Sequence, residues 1–171
     1  MLRWTGFALS GVTLLVANEG SSPLSDFVKH RFVQQVSSGL KDYRVCEAFS
    51  RDDEKKAFFK KSFDVDVFAG AQNFESREIF VEEGAGKDLR RVHLGILTLR
   101  YSNAAAAAGI HGSLSKQGGF FKGTEVLTRF VPIHVDQALL VVYSESVQNE
   151  HVKSFMEAIE AQVKDEQFSS P

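Results

Sequence analysis

Five histidines are the side chains in this 171-residue chain best suited to moving protons near neutral pH. His30, His93, His111, His134 and His151 are scattered, with no HExxH and no pair spaced beside carboxylates as a zinc site needs, so no metal centre is expected. His93 and His134 fall in windows that read as strand or hairpin, where one of them could point inward. In an enzyme, a strand histidine near Tyr101 or Tyr143 could take a proton from a phenolic substrate, with Asn18 or Asn103 orienting the substrate oxygen. His93, Tyr101, Tyr143 and His151 are the catalytic candidates on that reading. The same residues have plainer uses, since Asn103 can cap a helix and Asn18 can open a turn. Cys46 is the single cysteine, which excludes an intramolecular disulfide and a thiolate cluster. It sits in an apolar strand window without a histidine or helix N-terminus beside it, and reads as a small buried hydrophobe. No GxSxG or P-loop occurs, and Gly118-Gly119 and Gly84-Ala85-Gly86 lack the strand-to-helix setting of a phosphate cradle. No cofactor is expected.

The elements that must carry these groups are clearest in the second half. Val92–Tyr101 reads as a strand, and Asn103–Gln117 as a helix carried by five alanines and stopped by Gly118-Gly119. Glu125–Val131 and Ala138–Ser144 read as a hairpin turning at Pro132 to Gln137. From Val147 to about Lys164, Val152, Phe155, Met156, Ile159 and Val163 recur at helical spacing. The order is β-α-β-β-α. The first half gives a similar order: strand Phe7–Val16; a helix with Ser22 at the N-cap and Pro23 at N1, stopped by Gly39; strands Tyr43–Phe49 and Phe63–Ala69; a helix from about Gln72 to Glu83; and Gly84 to Asp88 as a linker. Pairings such as Leu9 with Leu94, Thr13 with Thr98 and Asn18 with Asn103 support a duplication. Residues 1–87 then form one repeat and 88–171 the other. The first carries a charged insertion at 50–62, in which Lys55, Lys56, Lys60 and Lys61 flank Phe58 and Phe59. Those rings could dock on a partner, or pack a solvated helix onto its own domain.

Composition narrows the function classes. The apolar share of 43% and charged share of 25% suit a globular domain, and a formal charge of −2 offers no basic field for a nucleic acid. Fifteen Phe suggest rings filling an enclosed space. Residues 1–17 have the charge and apolar length of a weak export signal, too short to span a bilayer; read instead as a strand, they belong to the fold and the protein stays in the cytoplasm or an organellar matrix.

Two β-α-β-β-α units in one chain resemble the dimeric α+β barrel superfamily of ferredoxin-like domains in fused form. The resemblance is strongest in Gly119-Phe120-Phe121-Lys122-Gly123-Thr124-Glu125-Val126-Leu127, then Ala138 through Tyr143-Ser144-Glu145-Ser146, then a helix bearing His151. This is similar to the antibiotic-biosynthesis-monooxygenase-like pattern of glycine, strand, strand ending in an aromatic-Glu-Ser turn, and helix with histidine. A weaker resemblance is to bacterial microcompartment shell domains, through the Ala-rich helix after Tyr101-Ser102-Asn103. The resemblance implies an α+β fold of two repeats in a pseudo-dimeric antiparallel sandwich or barrel, helices outside. Two functions compete. One is a non-catalytic binding or assembly protein, a possible oligomer, contacting a protein partner or small apolar ligand through Asn18, Asn103, Phe58 or Phe59. The other is a cofactor-independent monooxygenase-like enzyme acting on a small aromatic substrate in the cavity.

Overall fold

A computed structural model describes residues 22–168, so the expected strand Phe7–Val16 and Asn18 lie outside the described residues. The elements run α1 (Pro23–Val36), β1 (Tyr43–Ser50), α2 (Asp53–Ser62), β2 (Ala71–Glu83), a 3-10 turn (Gly86–Asp88), β3 (Arg90–Tyr101), α3 (Ala104–Leu114), β4 (Arg129–Val135), β5 (Ala138–Ser144) and α4 (Glu150–Phe168). The fold is α+β, with one five-stranded antiparallel sheet in the order β1-β2-β3-β5-β4.

The helices begin where side chains can satisfy the first free N–H groups. The Ser22 hydroxyl accepts from the Ser25 N–H at 3.1 Å with Pro23 next in line, Asp52 accepts from Lys55 at 2.7 Å, and Asn103 accepts from Ala106 at 2.9 Å. In α4 the Asn149 side chain receives the His151 and Val152 N–H groups at 3.0 and 3.2 Å. Acids lead α2 and lysines close it, which complements its dipole.

Strand alternation sends side chains to two cores. On one face, Val28, Phe32 and Val36 of α1 and Val152, Phe155 and Met156 of α4 meet Ile79, Val81, Leu94, Ile96, Leu140 and Val142. On the other, Phe59 of α2, Phe63, Val67 and Phe68, Ala107 and Leu114 of α3, and Phe121 meet Leu97, Leu99, Tyr101, Phe130, Leu139, Val141 and Tyr143. The Phe skew serves this second core, where Phe59, Phe63, Phe121, Phe130 and Tyr143 pack with ring centroids 5.0–6.2 Å apart.

Several expectations need correction. Among the described residues the sheet is single and open at β1 and β4, not a closed barrel or two facing sheets, because helices cover both its faces. Phe63–Ala69 is not a strand. Asp66 holds it in a turn, its carboxylate accepting from the Phe68 N–H and its carbonyl from the Ala69 N–H, both at 3.0 Å, which drops Phe63, Val67 and Phe68 into the second core. Gln72 to Glu83 is strand, not helix: strong helix formers are overridden by pairing on both sides, β1 along one edge and β3 along the other. Gly84 to Asp88 is the tight turn of the β2–β3 hairpin. Gly84 has φ +81°, and a Cβ there would lie 2.8 Å from the Asp88 carbonyl oxygen. The last hairpin turns at Asp136-Gln137, with Asp136 at φ +50°, so Pro132 lies within β4, where an edge strand tolerates a residue without an N–H.

One row of residues crosses the whole sheet in register: Ala48, Glu78, Gly95, Tyr143 and Phe130. Gly95 is what lets this row exist. A Cβ there would stand 2.0–2.5 Å from atoms of the Tyr143 ring, which lies flat over β3 on its way to β2. Gly95→Ala should therefore cost about 3 kcal/mol, the range of overpacking plus a lost buried hydrogen bond; urea unfolding measures it, and a loss below about 1 kcal/mol contradicts the packing described.

Candidate functional site

The row ends in a polar cluster under α2. Tyr143 donates from its hydroxyl to Glu78 Oε1 at 2.6 Å, and the Ser76 hydroxyl lies 3.4 Å from the same phenol oxygen. His93 Nε2 bonds Glu78 Oε2, and Lys55 reaches down from α2 to pair with Glu78 Oε1. Strand parity brings these groups together: Ser76 and Glu78 on β2, His93 on β3 and Tyr143 on β5 point to one face. Behind the imidazole, the Glu145 N–H approaches Nδ1 at 3.4 Å, which leaves Nε2 as the nitrogen that donates to Glu78. The His93 backbone is clamped as well, its N–H given to Ser146 Oγ at 3.0 Å and its carbonyl receiving the Ser144 hydroxyl at 2.6 Å. The Phe80 and Tyr143 rings flank the imidazole at 5.1 and 5.7 Å.

Burial opposes the charge on Glu78, but the His93 bond and charge, then Lys55 and Tyr143, outweigh it and hold the carboxyl at about 2, below its ordinary 4.5. Burial first, then the Glu78 charge, push the Tyr143 phenol well up. The phenol therefore stays protonated as a donor and is no nucleophile. A proton could be shared along Tyr143, Glu78 and His93, yet His93 is 6% exposed and Tyr143 2%, and their polar atoms are spent on one another.

The other sequence candidates are elsewhere. Tyr101, at the far end of β3, donates to the Val67 carbonyl, and burial, then Asp66, push its phenol up. His151 is exposed in the first turn of α4, and Asn103 caps α3. Phe59 is fully buried and Phe58 half-buried against Phe59 and Phe121, so both rings pack within this chain. Cys46 is half-buried on the edge strand β1, its thiol 3.5 Å from Glu82, because among the described residues β1 has a neighbour on one side only. Sequence reasoning missed Glu78, Ser76 and Lys55. The signal available was the alternation Phe74, Ser76, Glu78, Phe80 against Arg77, Ile79, Val81, a period of two under a helix-forming composition.

Open space lies on either side of α4. An apolar cleft of about 370 Å³ runs between α1 and α4, floored by Leu24, Val28, Ile133, Val135, Phe155 and Ile159 and rimmed by Arg31, Gln34, Gln35 and Gln162. Across β4, a cleft of about 520 Å³ is lined by His111, Phe120, Arg129, Pro132 and Glu160, with Arg129 paired to Glu160 at 2.6 Å. Burial, then the neighbouring His134, lower the His111 pKa. Among the described residues no group of three or more His, Cys, Asp or Glu could hold a metal ion, and no helix is long and apolar enough to cross a membrane.

No protein-family model, curated protein or solved structure matches this chain.

The depressed Glu78 carboxyl makes a stability claim with a definite sign. A carboxyl lower in the folded than in the unfolded protein stabilises above its ordinary value of 4.5, and that contribution is lost as pH falls toward about 2. Wild type should exceed Glu78→Gln by about 3 kcal/mol at neutral pH. The gap should close as the pH falls from 4.5 to 2. Urea unfolding across that range checks it, and a gap that does not change with pH contradicts it.

Proposed function

We propose that this is a non-catalytic binding protein whose α1–α4 cleft takes a small apolar ligand. The carrying observation is the cleft itself: an aliphatic and aromatic floor, a rim of three glutamines and Arg31, and about 370 Å³, within the volume range of small-molecule sites. That chemistry selects shape and hydrophobicity, as an acyl chain or a flat hydrocarbon would supply. The position supports the same reading, because α1 and α4 pack on one face of the sheet and Val28 and Phe155 belong to both the core and the cleft, so a ligand extends an existing core.

The competing reading is a cofactor-independent enzyme for a small aromatic substrate, and it rests on the His93–Glu78–Tyr143 cluster. A catalytic base needs a bare lone pair facing the substrate. In this cluster the imidazole donates from Nε2 to Glu78 while its Nδ1 lone pair faces the Glu145 N–H, and the phenol donates to the same carboxylate, which Lys55 also pairs with; this favours a structural role.

The test uses 11-(dansylamino)undecanoic acid, a fluorescent acyl probe. Wild type should bind it with a micromolar dissociation constant, and Ala158→Trp, which puts an indole on the α4 wall of the cleft without touching the buried core, should weaken binding more than tenfold. Equal binding by the two proteins, or no binding by wild type, overturns the reading.

A further inference from the structure

An exposed edge strand invites another strand, and natural proteins blunt such edges with proline, outward lysines, bulges or covering helices. β4, one edge of this sheet, is blunted by Pro132 and lies between α3 and α4. β1, the other edge, has none of these devices among the described residues. It pairs with β2 through eight consecutive residues without a register shift, contains neither proline nor lysine, and leaves Tyr43 44%, Val45 37% and Phe49 57% exposed on one face. Its charges are paired within the chain, although the Arg44 side chain remains 67% exposed. Arg44 is bound to Glu82 at 2.5 Å, and Glu47 to Arg77 at 2.6 Å and to Lys29. The edge is thus long and mostly apolar, with its two charges paired inside the chain.

We propose that β1 is a self-association edge, pairing antiparallel with β1 of a second copy about a two-fold axis through Cys46, so that two sheets become one of ten strands. The strand's own sequence selects this occupant and this register. In antiparallel pairing, residues directly opposite share a face. Centring on Cys46 sets Tyr43 against Phe49 of the other copy at both ends, Val45 against Glu47, and Arg44 against Ala48. Aromatic pairs across strands are among the stabilising ones. Centring on Glu47 instead opposes two carboxylates, and centring on Val45 or Ala48 sets an aromatic ring against Glu47 and shortens the overlap. Glu47 suits the chosen register because its charge is already met by Arg77 and Lys29 within its own chain. Complementarity of a patch with itself is what a closed two-fold dimer requires. Two eight-residue strands bury on the order of 1,000 Å² in total, the low end of specific interfaces, so the dissociation constant falls in the micromolar range. The α1–α4 cleft lies at the opposite side of the sheet, so this interface forms whether or not the cleft binds a ligand.

The experiment is sedimentation equilibrium of the full chain from about 1 to 500 μM, with crosslinking by a short bis-maleimide that joins thiols only when they are close. A monomer–dimer equilibrium is expected, with Cys46–Cys46 adducts that rise with dimer content. Val45→Glu, which sets a carboxylate opposite Glu47 of the other copy at two symmetric places, should weaken dimerisation at least tenfold while leaving acyl-probe binding and the unfolding midpoint of the dilute monomer unchanged. Tyr43→Phe should dimerise normally. A monomer at every concentration, including one whose edge is occupied by its own leading residues, overturns the proposal, as does a dimer that resists Val45→Glu or never crosslinks through Cys46. Failure of acyl-probe binding with dimerisation intact removes the ligand reading alone.

Discussion

Charge buried in the interior of a sheet has to be neutralised where it stands, and β2 is built around that requirement. The strand carries Arg77, Glu78 and Glu82 between two hydrogen-bonded neighbours, with Arg77 and Glu82 almost wholly buried. An unpaired ion in the place of Glu78 costs several kcal/mol, and all three charged residues have their partners fixed by the strand's register. Arg77, on the α1 face, binds Asp26 at 2.7 Å and Glu47 at 2.6 Å, tying the first helix and the edge strand to the centre. Glu78, on the opposite face, holds His93, Tyr143 and Lys55, which joins β3, β5 and α2. Glu82 takes Arg44 at 2.5 Å and Arg91 at 2.6 Å. Slipping β2 by one residue would send every one of these charges to the wrong face. Such groups act less as sources of stability than as a register lock, while the two apolar cores supply the driving force.

The same physics explains what was legible in the sequence. Helices announced by a cap and an apolar stripe, such as Ser22-Pro23 before Val28, Phe32 and Val36, or Asn103 before its alanines, sit where that grammar puts them, because capping and amphipathicity are local. β3 and β5 were legible because strands covered on both faces are nearly continuous apolar runs. β2 was not. Its Glu and Arg favour a helix in isolation, and the partners that make them tolerable in a strand lie on β1, α1, α2 and β3, far apart along the chain. Phe63, Val67 and Phe68 misled in the opposite sense: a strand-like composition held in a turn by one aspartate.

The candidate site divides along the same line. His93 and Tyr143 stood out as polar groups within apolar strands, and the structure brings them to one carboxylate. Glu78 could not be found while its segment was read as a helix, and without it the pair resembles catalytic machinery more than it does once the cluster is complete. The two clefts beside α4 arise from how helices diverge over the sheet, a tertiary property with no local signature.

The tight turn at Gly84 bears on how the chain is made. Synthesis proceeds from the amino terminus, so α1, β1 and α2 leave the ribosome before any of the strand that neutralises Asp26, Glu47, Arg44 and Lys55 exists. Among the described residues these leading elements have almost nothing to fold against until β2 is made. The hairpin that closes at Gly84 is the first nonlocal structure with short loop closure, and the earlier pieces condense onto it from behind while β5 arrives from ahead. For that interval β1 is a bare apolar ribbon, and the nascent protein's exposure to holding chaperones is set by the time needed to translate from Tyr43 to Tyr101.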